Sequence, residues 1–549
     1  MDAAGLVARS HLGAIAVLIF LCLACYLPGI ASIAPIDRDE ARFIQATKQM
    51  LESGDFINIR MHDEPRYKKP VGIYWLQAAT VLLVGQDAGA PVATYRLVSV
   101  AGATMATLLV YWLVLPMFGR AAAVVGAAAF AMSFLVTMEA HIARTDAVLV
   151  ATVVLAQGAL ARIYLWTGSG RPPLVLALMF WIAVGVGILI KGPIIVMVSG
   201  LTVAALVAVD RQVGWLRGLR PAIGVPLLLA IVLPWFVAIL AIGGFDFLQA
   251  SLVTDFLGKV ATGQEGHGAP PGVHFVAFWV LFWPAVPLAV VAAPWVWRNR
   301  QSPAVRFCLA WIVPSWIVLE AVATKLPHYP LPLYPAIAAL SGGAAAAAEP
   351  LRRWGHWATA WAAVVGIGLP LAAIAGLALI EGRVSIVGAT VAVGVAGLAA
   401  MALRQARRGS ALAATALVMA AALLIYPLIY GAVLPQIDAI RVAPRLAAAS
   451  ARATSCLHPA VVAAGYMEPS LIFAVGTDIT LADGERSADF LKGGDCRVAL
   501  IESRQDQIFN DEAVSLGLSV ERVETVDGIN LGRIERVSVA VYRVKSGGS

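Results

Sequence analysis

Residues 11–33 read "HLGAIAVLIFLCLACYLPGIASI", an apolar block that leads directly into the charged run "PIDRDEARF" at residues 35–43. A helix needs about 20 apolar residues to cross the hydrocarbon core of a bilayer, and this block supplies them. It is too long for the core of a signal peptide and has no small-residue cleavage pattern at its end. We therefore expect it to be a first membrane span that the protein retains.

The rest of the chain repeats this pattern. Of its 549 residues, 60% are hydrophobic and 13% are charged, and the mean hydropathy is +0.81. Soluble domains average about 45–50% apolar and about 25% charged residues. Thirteen further apolar blocks lie at 71–86, 91–116, 120–137, 146–166, 173–190, 193–209, 222–243, 273–297, 304–322, 328–348, 354–379, 384–403 and 411–434. The sequence predicts a polytopic α-helical membrane protein.

The formal net charge of +7 does not indicate a nucleic-acid partner. Membrane proteins carry an excess of Lys and Arg in their cytoplasmic loops, and this explanation suffices. The sequence contains no Walker loop and no Rossmann glycine pattern, and Cys22 and Cys25 lie inside the first span, where we expect inert core residues. We expect membrane lipids, rather than nucleotides or nucleic acid, as the surroundings and partners of the chain.

The basic clusters between the blocks predict the orientation. They lie at 118–120, 168–171, 210–220, 297–306, 350–356 and 404–409. If all fourteen blocks crossed the membrane, a cytoplasmic Arg9 would place every cluster outside, against the positive-inside rule. The block at 71–86 is short and begins with a glycine and two aromatic residues, which is typical of an interfacial or re-entrant segment. Thirteen spans then remain, with the N-terminus in the cytoplasm and the C-terminus on the far side.

This topology gathers the unusual polar segments in one compartment. Residues 34–90 become a long exoplasmic loop with juxtamembrane helices. The segments at 141–149, 190–193, 262–275 and 324–335 fall on the same side. Ionisable residues near membrane depth are costly and are by default a functional hypothesis. We expect these segments to line one site.

The composition changes near Gln436. Short runs at 459–466, 496–503, 517–526 and 535–544 are typical of strands, and 468–476 and 504–517 are typical of helices. We predict a transmembrane domain at 1–435 and a small exoplasmic α/β domain at 436–549. Cys456 and Cys496 each precede a predicted strand, and adjacent parallel strands would bring them together in an oxidising compartment. The sequence does not show whether those strands are adjacent.

The charged run after the first block offers two acids, Asp39 and Glu40. Asp39 could cap the following helix, since Asp favours a helix start. That explanation accounts for one acid and not for two acids followed by Arg42. A carboxylate here could instead accept a proton from an acceptor group, as general bases do.

Three cations in this loop have two interpretations. Arg42, Lys68 and Lys69 could be anchors at the lipid headgroups, where long basic side chains snorkel. They could also bind a phosphate, Arg through its planar fork and Lys as a point charge. A phosphate held near the bilayer surface would be a lipid phosphate.

Further candidates lie in the other segments of the same side. Arg144 and Asp146 form either a structural ion pair or part of a site. Residues 324–335 are a broken, proline-rich start of a span, and such a start is tolerated where it lines a cavity. His267 lies in a glycine-rich loop, where it could be a metal ligand, a gating residue or merely polar. The remaining cavity candidates are Lys191, Lys325, His328 and Tyr329.

The chain resembles the polyprenyl-phosphate-sugar-dependent glycosyltransferases of GT-C type in the order and sidedness of six motifs. Among these it is most similar to the lipid A aminoarabinose transferases, and more distantly to the protein O-mannosyltransferases. The motifs are "RDEARF" (38–43), "EPRYKKP" (64–70), "RTDAVL" (144–149), "KGP" (191–193), "GHGAPPG" (266–272) and "KLPHYPLPLYPA" (325–336).

The resemblance implies roles for these residues. Asp39 resembles the catalytic or acceptor-orienting acid and Asp146 a second acid in the cavity, and the resemblance implies that both are catalytic residues. Arg42 and Lys69 resemble the cations that bind the phosphate of the donor, and Lys68 adds a third cation there. Glu40 is expected to hold the loop. The residues expected only to line the cavity are Arg144, Lys191, His267, Lys325, His328 and Tyr329.

One departure concerns a metal. The aminoarabinose transferases usually read Tyr-Glu-Lys-Pro where this chain reads Tyr67-Lys68-Lys69-Pro70. That glutamate can help to ligate a divalent metal alongside a histidine. Lys68 stands in its place, which counts against a family-type metal site even with His267 nearby.

The implied function is inverting transfer of a sugar from a polyprenyl (undecaprenyl) phosphate to a lipid A or other exoplasmic acceptor. The place would be the inner membrane of a bacterium, with the site and the C-terminal domain in the periplasm, and we expect a monomer. The alternative is a flippase for lipid-linked sugars, which predicts charges along a path through the bilayer. A structural or assembly protein would leave the charged first loop unexplained.

Overall fold

A computed structural model describes residues 10–35, 37–249, 268–533 and 535–545. The membrane part is built from helices that follow the apolar blocks. They are α1 (His11–Tyr26), α2 (Asp39–Ser53), α3 (Gly72–Leu83), α4 (Val92–Ala131), α5 (Phe134–Ala140), α6 (Asp146–Tyr164), α7 (Leu174–Lys191), α8 (Ile194–Asp210), α9 (Pro221–Leu248), α10 (Val273–Leu281), α11 (Val286–Arg298), α12 (Pro303–Ala321), α13 (Tyr334–Ala346), α14 (Arg353–Glu381), α15 (Ile386–Arg407) and α16 (Ala411–Tyr426). A short hairpin, β1 (Arg60–Met61) and β2 (Glu64–Pro65), lies between α2 and α3.

Within the described ranges, eight helices are long and apolar enough to cross a membrane, and further apolar helices of 10–17 residues accompany them. The prediction of a polytopic helical membrane protein is therefore confirmed, while the number of thirteen spans stays a prediction. Helix α4 is 40 residues long and breaks at Gly119, where φ is 83°. This break separates the apolar blocks that the sequence places at 91–116 and 120–137.

Helix α3 occupies the short block that was predicted not to cross. Its 12 residues rise about 18 Å, which is less than the roughly 30 Å of the hydrocarbon core. Its packing partners are α2, α4 and α7. It forms part of the connection between α1 and α4, which is where the first polar segment lies.

The C-terminal segment folds around one mixed sheet. Its strands are β3 (Ala460–Ala464), β4 (Thr480–Leu481), β5 (Arg497–Glu502), β6 (Val520–Asn530) and β7 (Glu535–Val544), and its helices are α17 (Val442–Ala453), α18 (Pro469–Val475), α19 (Gly484–Phe490) and α20 (Asp506–Ser515). The strand order is β4-β3-β5-β7-β6, with β3 parallel to β4 and β5, and β7 antiparallel to β5 and β6. Apolar clusters cover both faces of the sheet. The strands and helices predicted for this segment are present, and the exact boundary at residue 436 stays a prediction.

The sheet order settles the question of the two cysteines. Strands β3 and β5 are adjacent and parallel, and Cys456 and Cys496 precede them. The two residues form a disulfide with their Cα atoms 5.7 Å apart. The bridge ties the starts of the two strands together.

The C-terminal domain lies against the first polar segment. Helix α18 packs on α2. Gln45 of α2 donates a hydrogen bond from Nε2 to Oγ1 of Thr477 at 2.8 Å. His62, next to the β1–β2 hairpin, contacts the carbonyl oxygen of Ile479 through Nε2 at 2.8 Å. The first loop therefore lies between the helical bundle and the sheet domain.

Candidate active site

Glu40 of α2 and Arg96 of α4 form a fully buried ion pair. Both side chains are 0% exposed, and Arg96 donates from Nε and Nη2 to the two carboxylate oxygens at 2.7 and 2.8 Å. Arg96 also donates to three carbonyl oxygens within residues 30–34. The backbone N–H of Ala143 donates to Glu40 Oε1 at 2.9 Å. Glu40 thus joins α2 to α4 and to the turn before α6.

Asp39 stands one residue earlier and faces the other way. Its side chain is 57% exposed, and its Oδ2 accepts a hydrogen bond from Arg144 Nη1 at 3.3 Å. Helix α2 begins at Asp39 itself, with Arg38 in the N-cap position and no side-chain cap. Helix capping therefore does not account for this acid, and its carboxylate remains open on one side.

Arg144 lies among three carboxylates. Its Nε donates to Glu139 Oε2 at 2.7 Å, its Nη2 bonds the other oxygen of Glu139, and its Nε is 3.8 Å from Asp146 Oδ2. Burial by itself would lower the pKa of Arg144, but Glu139, Asp146 and Asp39 together raise it above its ordinary value. The guanidinium is a fixed positive charge that orients Asp39.

Asp146 carries a second ion pair beneath this guanidinium. Lys191 donates from Nζ to Asp146 Oδ1 at 2.6 Å, and His328 Nε2 lies 3.9 Å from the same oxygen. The ammonium of Lys191 also lies 6.0 Å from the centre of the Tyr329 ring.

Local backbone features place these groups. Lys191 is the last residue of α7, which ends because Gly192 adopts a φ of 70°. Asp146 is the first residue of α6, and His328 lies in the proline-rich segment before α13. The start of α6, the end of α7 and the proline-rich segment before α13 therefore meet around one carboxylate.

Lys325 makes its hydrogen bonds outside this cluster. Lys325 Nζ donates to the carbonyl oxygens of Ala269 and Val322 at 2.9 and 2.6 Å, so it joins the segment before α10 to the end of α12. His267 lies outside the described residues. The predicted roles of both residues stay predictions.

The three phosphate candidates lie on two segments of the first loop. Arg42 lies in the first turn of α2 and is half-buried, Lys68 is exposed and Lys69 is half-buried. Their segments pack together through Arg66, whose guanidinium lies 5.2 Å from the centre of the Phe43 ring. The cations are thus carried on two neighbouring segments of one loop.

Several known glycosyltransferases are similar to this chain in sequence. A family model described as dolichyl-phosphate-mannose-protein mannosyltransferase matches residues 68–237. The undecaprenyl phosphate-alpha-4-amino-4-deoxy-L-arabinose arabinosyl transferase of Pectobacterium carotovorum subsp. carotovorum (strain PC1) is 26% identical over 405 residues, which cover 67% of each protein. The protein of the same name from Edwardsiella ictaluri (strain 93-146) is 27% identical over 346 residues, covering 60% of this chain and 58% of that protein.

A solved structure extends the similarity to nearly the whole chain. ArnT from Cupriavidus metallidurans bound to undecaprenyl phosphate superposes with a TM-score of 0.75 and 18% identity, covering 97% of this chain and 98% of that chain. The chain has an ArnT-like GT-C fold. The resemblance predicted from the six motifs is confirmed for the aminoarabinose transferases and, through the family model, for the mannosyltransferases.

The expectation that Lys68 counts against a divalent metal stays a prediction, because His267 lies outside the described residues. Lys68 presents an ammonium group, which has donors and no acceptor for a metal. Among the residues that the structure describes, no three His, Cys, Asp or Glu side chains form a group that could hold an ion. No step proposed below passes through a metal.

Two charged residues that contact the candidate site residues were not predicted from the sequence. Glu139 lies just beyond the apolar block at 120–137, five residues before Arg144, and Arg96 lies inside the block at 91–116. A lone charge in or next to an apolar span is costly without a partner. That cost is the signal that could have identified both residues.

Proposed function

We propose that this protein is an integral-membrane glycosyltransferase that moves a sugar from a polyprenyl phosphate, such as undecaprenyl phosphate, to a lipid A-type glycolipid, with inversion at C1. The observation that carries the proposal is the open carboxylate of Asp39, held by Arg144 next to the Asp146–Lys191 pair. The fold shared with an ArnT bound to undecaprenyl phosphate supports the choice of donor.

The reaction exchanges one bond at C1 of the sugar. An acceptor oxygen attacks C1 while the bond from C1 to the phosphate oxygen breaks, and the electron pair leaves with that oxygen. The leaving group is a phosphate anion, so fixed cations stabilise the charge that develops on it. Arg42 and Lys69 are the residues that we assign to this task, with Lys68 as an additional cation on the same segment.

Asp39 acts on the acceptor. A hydroxyl acceptor must lose a proton, and the exposed carboxylate of Asp39 accepts it as a general base. A phosphate acceptor is already ionised, and Asp39 then orients it. Asp146 is occupied by Lys191, so we assign it the task of holding that ammonium and the nearby His328 in place.

The proposed location is the inner membrane of a bacterium, with the site and the C-terminal domain in the periplasm and the N-terminus in the cytoplasm. The chain is proposed to act as a monomer. Gly89 is exposed at the end of the first loop and offers a place for a labelled cysteine. Labelling of Gly89→Cys by an impermeant reagent from the periplasm supports the orientation, and labelling only from the cytoplasm contradicts it.

The function is tested with the full chain reconstituted in liposomes. Purified polyprenyl phosphates carrying aminoarabinose, galacturonate, mannose or glucose serve as donors, and lipid A and core glycolipids serve as acceptors. We expect transfer for at least one pair and its loss in Asp39→Asn. Asp63→Asn is the matched control, because Asp63 is an exposed acid of the same loop and lies outside the six motifs.

Two results would contradict the proposal. If labelled donor lipid crosses the bilayer while no sugar is transferred, the protein is a flippase. If Asp39→Asn transfers every active pair at the wild-type rate, the role of Asp39 is wrong although the enzyme class stands.

A further inference from the structure

Arg38, directly before Asp39, has an unusual backbone conformation. Its φ is 69° and its ψ is −73°, and the N–H of Asp39 donates to the carbonyl oxygen of Asp37 at 3.0 Å. These values define a γ-turn of the form that is rare and strained for a residue with a Cβ atom. Strained conformations of this kind persist only where the surroundings enforce them.

The surroundings that enforce the turn belong to the C-terminal domain. Arg38 Nε lies 3.7 Å from Glu468 Oε2. The stem of Arg38 lies against Gly532, where an added Cβ would come within 2.6 Å of Nε and 3.0 Å of Cδ. The domain therefore contacts both the charge and the aliphatic part of this side chain.

Glu468 is itself held in place. It is 7% exposed, and Asn530 Nδ2 donates to its Oε1 at 2.9 Å. Arg533 Nε lies 4.0 Å from the same oxygen. Contacts within the sheet domain thus hold the Glu468 side chain in place independently of Arg38.

The same domain also grips α2 beyond its first turn. Gln45 donates to Thr477, and Lys48 donates from Nζ to the carbonyl oxygen of Phe473 at 3.3 Å. From the opposite side, Glu40 fixes the helix to Arg96 in the bundle. Asp39 is therefore the open residue between two anchored neighbours, Arg38 and Glu40.

We propose that the C-terminal domain positions Asp39 for sugar transfer, because Glu468 holds Arg38 in the γ-turn that directs the Asp39 carboxylate. Arg38 and Glu468 are positioning residues, since they act through Asp39. This inference rests on the proposed transferase function and adds to it a task for the C-terminal domain.

Steady-state kinetics of the reconstituted full chain test the proposal. Glu468→Gln and Arg38→Ala are expected to lower kcat about tenfold, as misplacement of a reacting group does, with the KM for the lipid-linked sugar within about twofold. Arg38→Lys retains the ion pair and is expected to recover most of the loss. Glu524→Gln, which breaks an exposed ion pair with Arg452 in the same domain, is the control and is expected to leave kcat unchanged.

Hydrogen exchange gives a second measurement that does not depend on activity. Peptides covering residues 37–43 are expected to exchange faster in Glu468→Gln and at the wild-type rate in Glu524→Gln. If the wild type transfers sugar while Glu468→Gln changes neither kcat nor this exchange, the inference fails and the proposed function stands. If the wild type transfers no sugar from any donor, the proposed function fails, and the inference fails with it whatever the exchange shows.

Discussion

Asp39 and Glu40 are neighbours in the sequence and belong to two different regions of the molecule. Glu40 lies in the helical bundle, fully buried against Arg96, whereas more than half of the Asp39 side chain is exposed next to Arg144. A buried pair with satisfied hydrogen bonds fixes structure, and an open carboxylate beside a fixed cation is able to act on a ligand. The contrast separates a structural acid, Glu40, from Asp39, the acid that we propose to be functional.

The largest expected effect is a loss of stability when the buried Glu40–Arg96 pair is broken. Glu40→Gln leaves the guanidinium of Arg96 buried without a counter-charge, which typically costs about 3–5 kcal/mol of stability. Thermal unfolding of the purified protein in detergent measures the change. Adding Arg96→Met removes the uncompensated charge, so the double variant is expected to be more stable than Glu40→Gln alone. If Glu40→Gln is as stable as the wild type, Glu40 is not the structural acid that distinguishes it from Asp39.

The next effect lies on the functional side. Asp39→Asn is expected to lower the rate of sugar transfer about 100-fold or more, a loss of about 3 kcal/mol of transition-state stabilisation. The unfolding midpoint should stay at the wild-type value, because the side chain is largely in solvent. Rate and unfolding midpoint are measured on the same preparation. A loss of rate that tracks a loss of stability would assign Asp39 to the structural side.

A third acid, Asp37, belongs to the contact with the C-terminal domain. Burial raises the pKa of Asp37 from 3.8 to about 6. The nearby Glu468 carboxylate adds to the shift, while the neighbouring Ser470 hydroxyl, the hydrogen bond from Tyr466 and the charge of Arg38 oppose it. Because folding favours the protonated form, its contribution to stability is complete below about pH 4 and is lost as the pH rises through about 6.

Asp37→Asn imitates the protonated form and tests this titration. A shift of this size corresponds to about 3 kcal/mol at full effect. Asp37 is only half-buried, so we expect the variant to gain about 2 kcal/mol over the wild type above pH 7 and nothing near pH 4. Unfolding midpoints measured from pH 4 to pH 8 give the difference. A difference that does not change with pH would contradict a raised pKa.

The smallest expected effect concerns the donor side of the loop. Lys69→Ala removes one cation from the proposed phosphate contact and is expected to raise the KM for the lipid-linked sugar about tenfold, or 1.4 kcal/mol. Lys492→Ala is the control, because Lys492 pairs with Asp489 on the exposed surface of the C-terminal domain. Equal donor affinity in wild type and Lys69→Ala would count against the phosphate role.

Much of the fold could be predicted from the sequence, because hydropathy and strand patterns are local. The apolar blocks correspond to helices, and the break at Gly119 falls between two of the predicted blocks. The strands that follow Cys456 and Cys496 were predicted, whereas their adjacency was not, since strand order is a property of the folded sheet.

The candidate site could be predicted only in part. The sequence identified Asp39, Arg144, Asp146, Lys191 and His328 as members of one site. In the structure, Arg144 lies at ion-pair distance from Asp39 and Asp146, and Asp146 lies at that distance from Lys191 and His328. The sequence did not identify Glu139. Its partner Arg144 lies in a turn whose geometry is defined only when the chain folds.

The sequence by itself determined that this chain is a helical membrane protein, that a charged loop follows its first span, and which residues are candidates for chemistry. Only the tertiary structure decided that Glu40 is buried, that Asp39 is exposed and that Asp37 contacts the C-terminal domain. The physical reason is that each choice depends on a distant partner: Arg96 is 56 residues from Glu40, Arg144 is 105 residues from Asp39, and Tyr466 is 429 residues from Asp37. Local patterns specify which side chains are charged, and long-range contacts specify what each charge does.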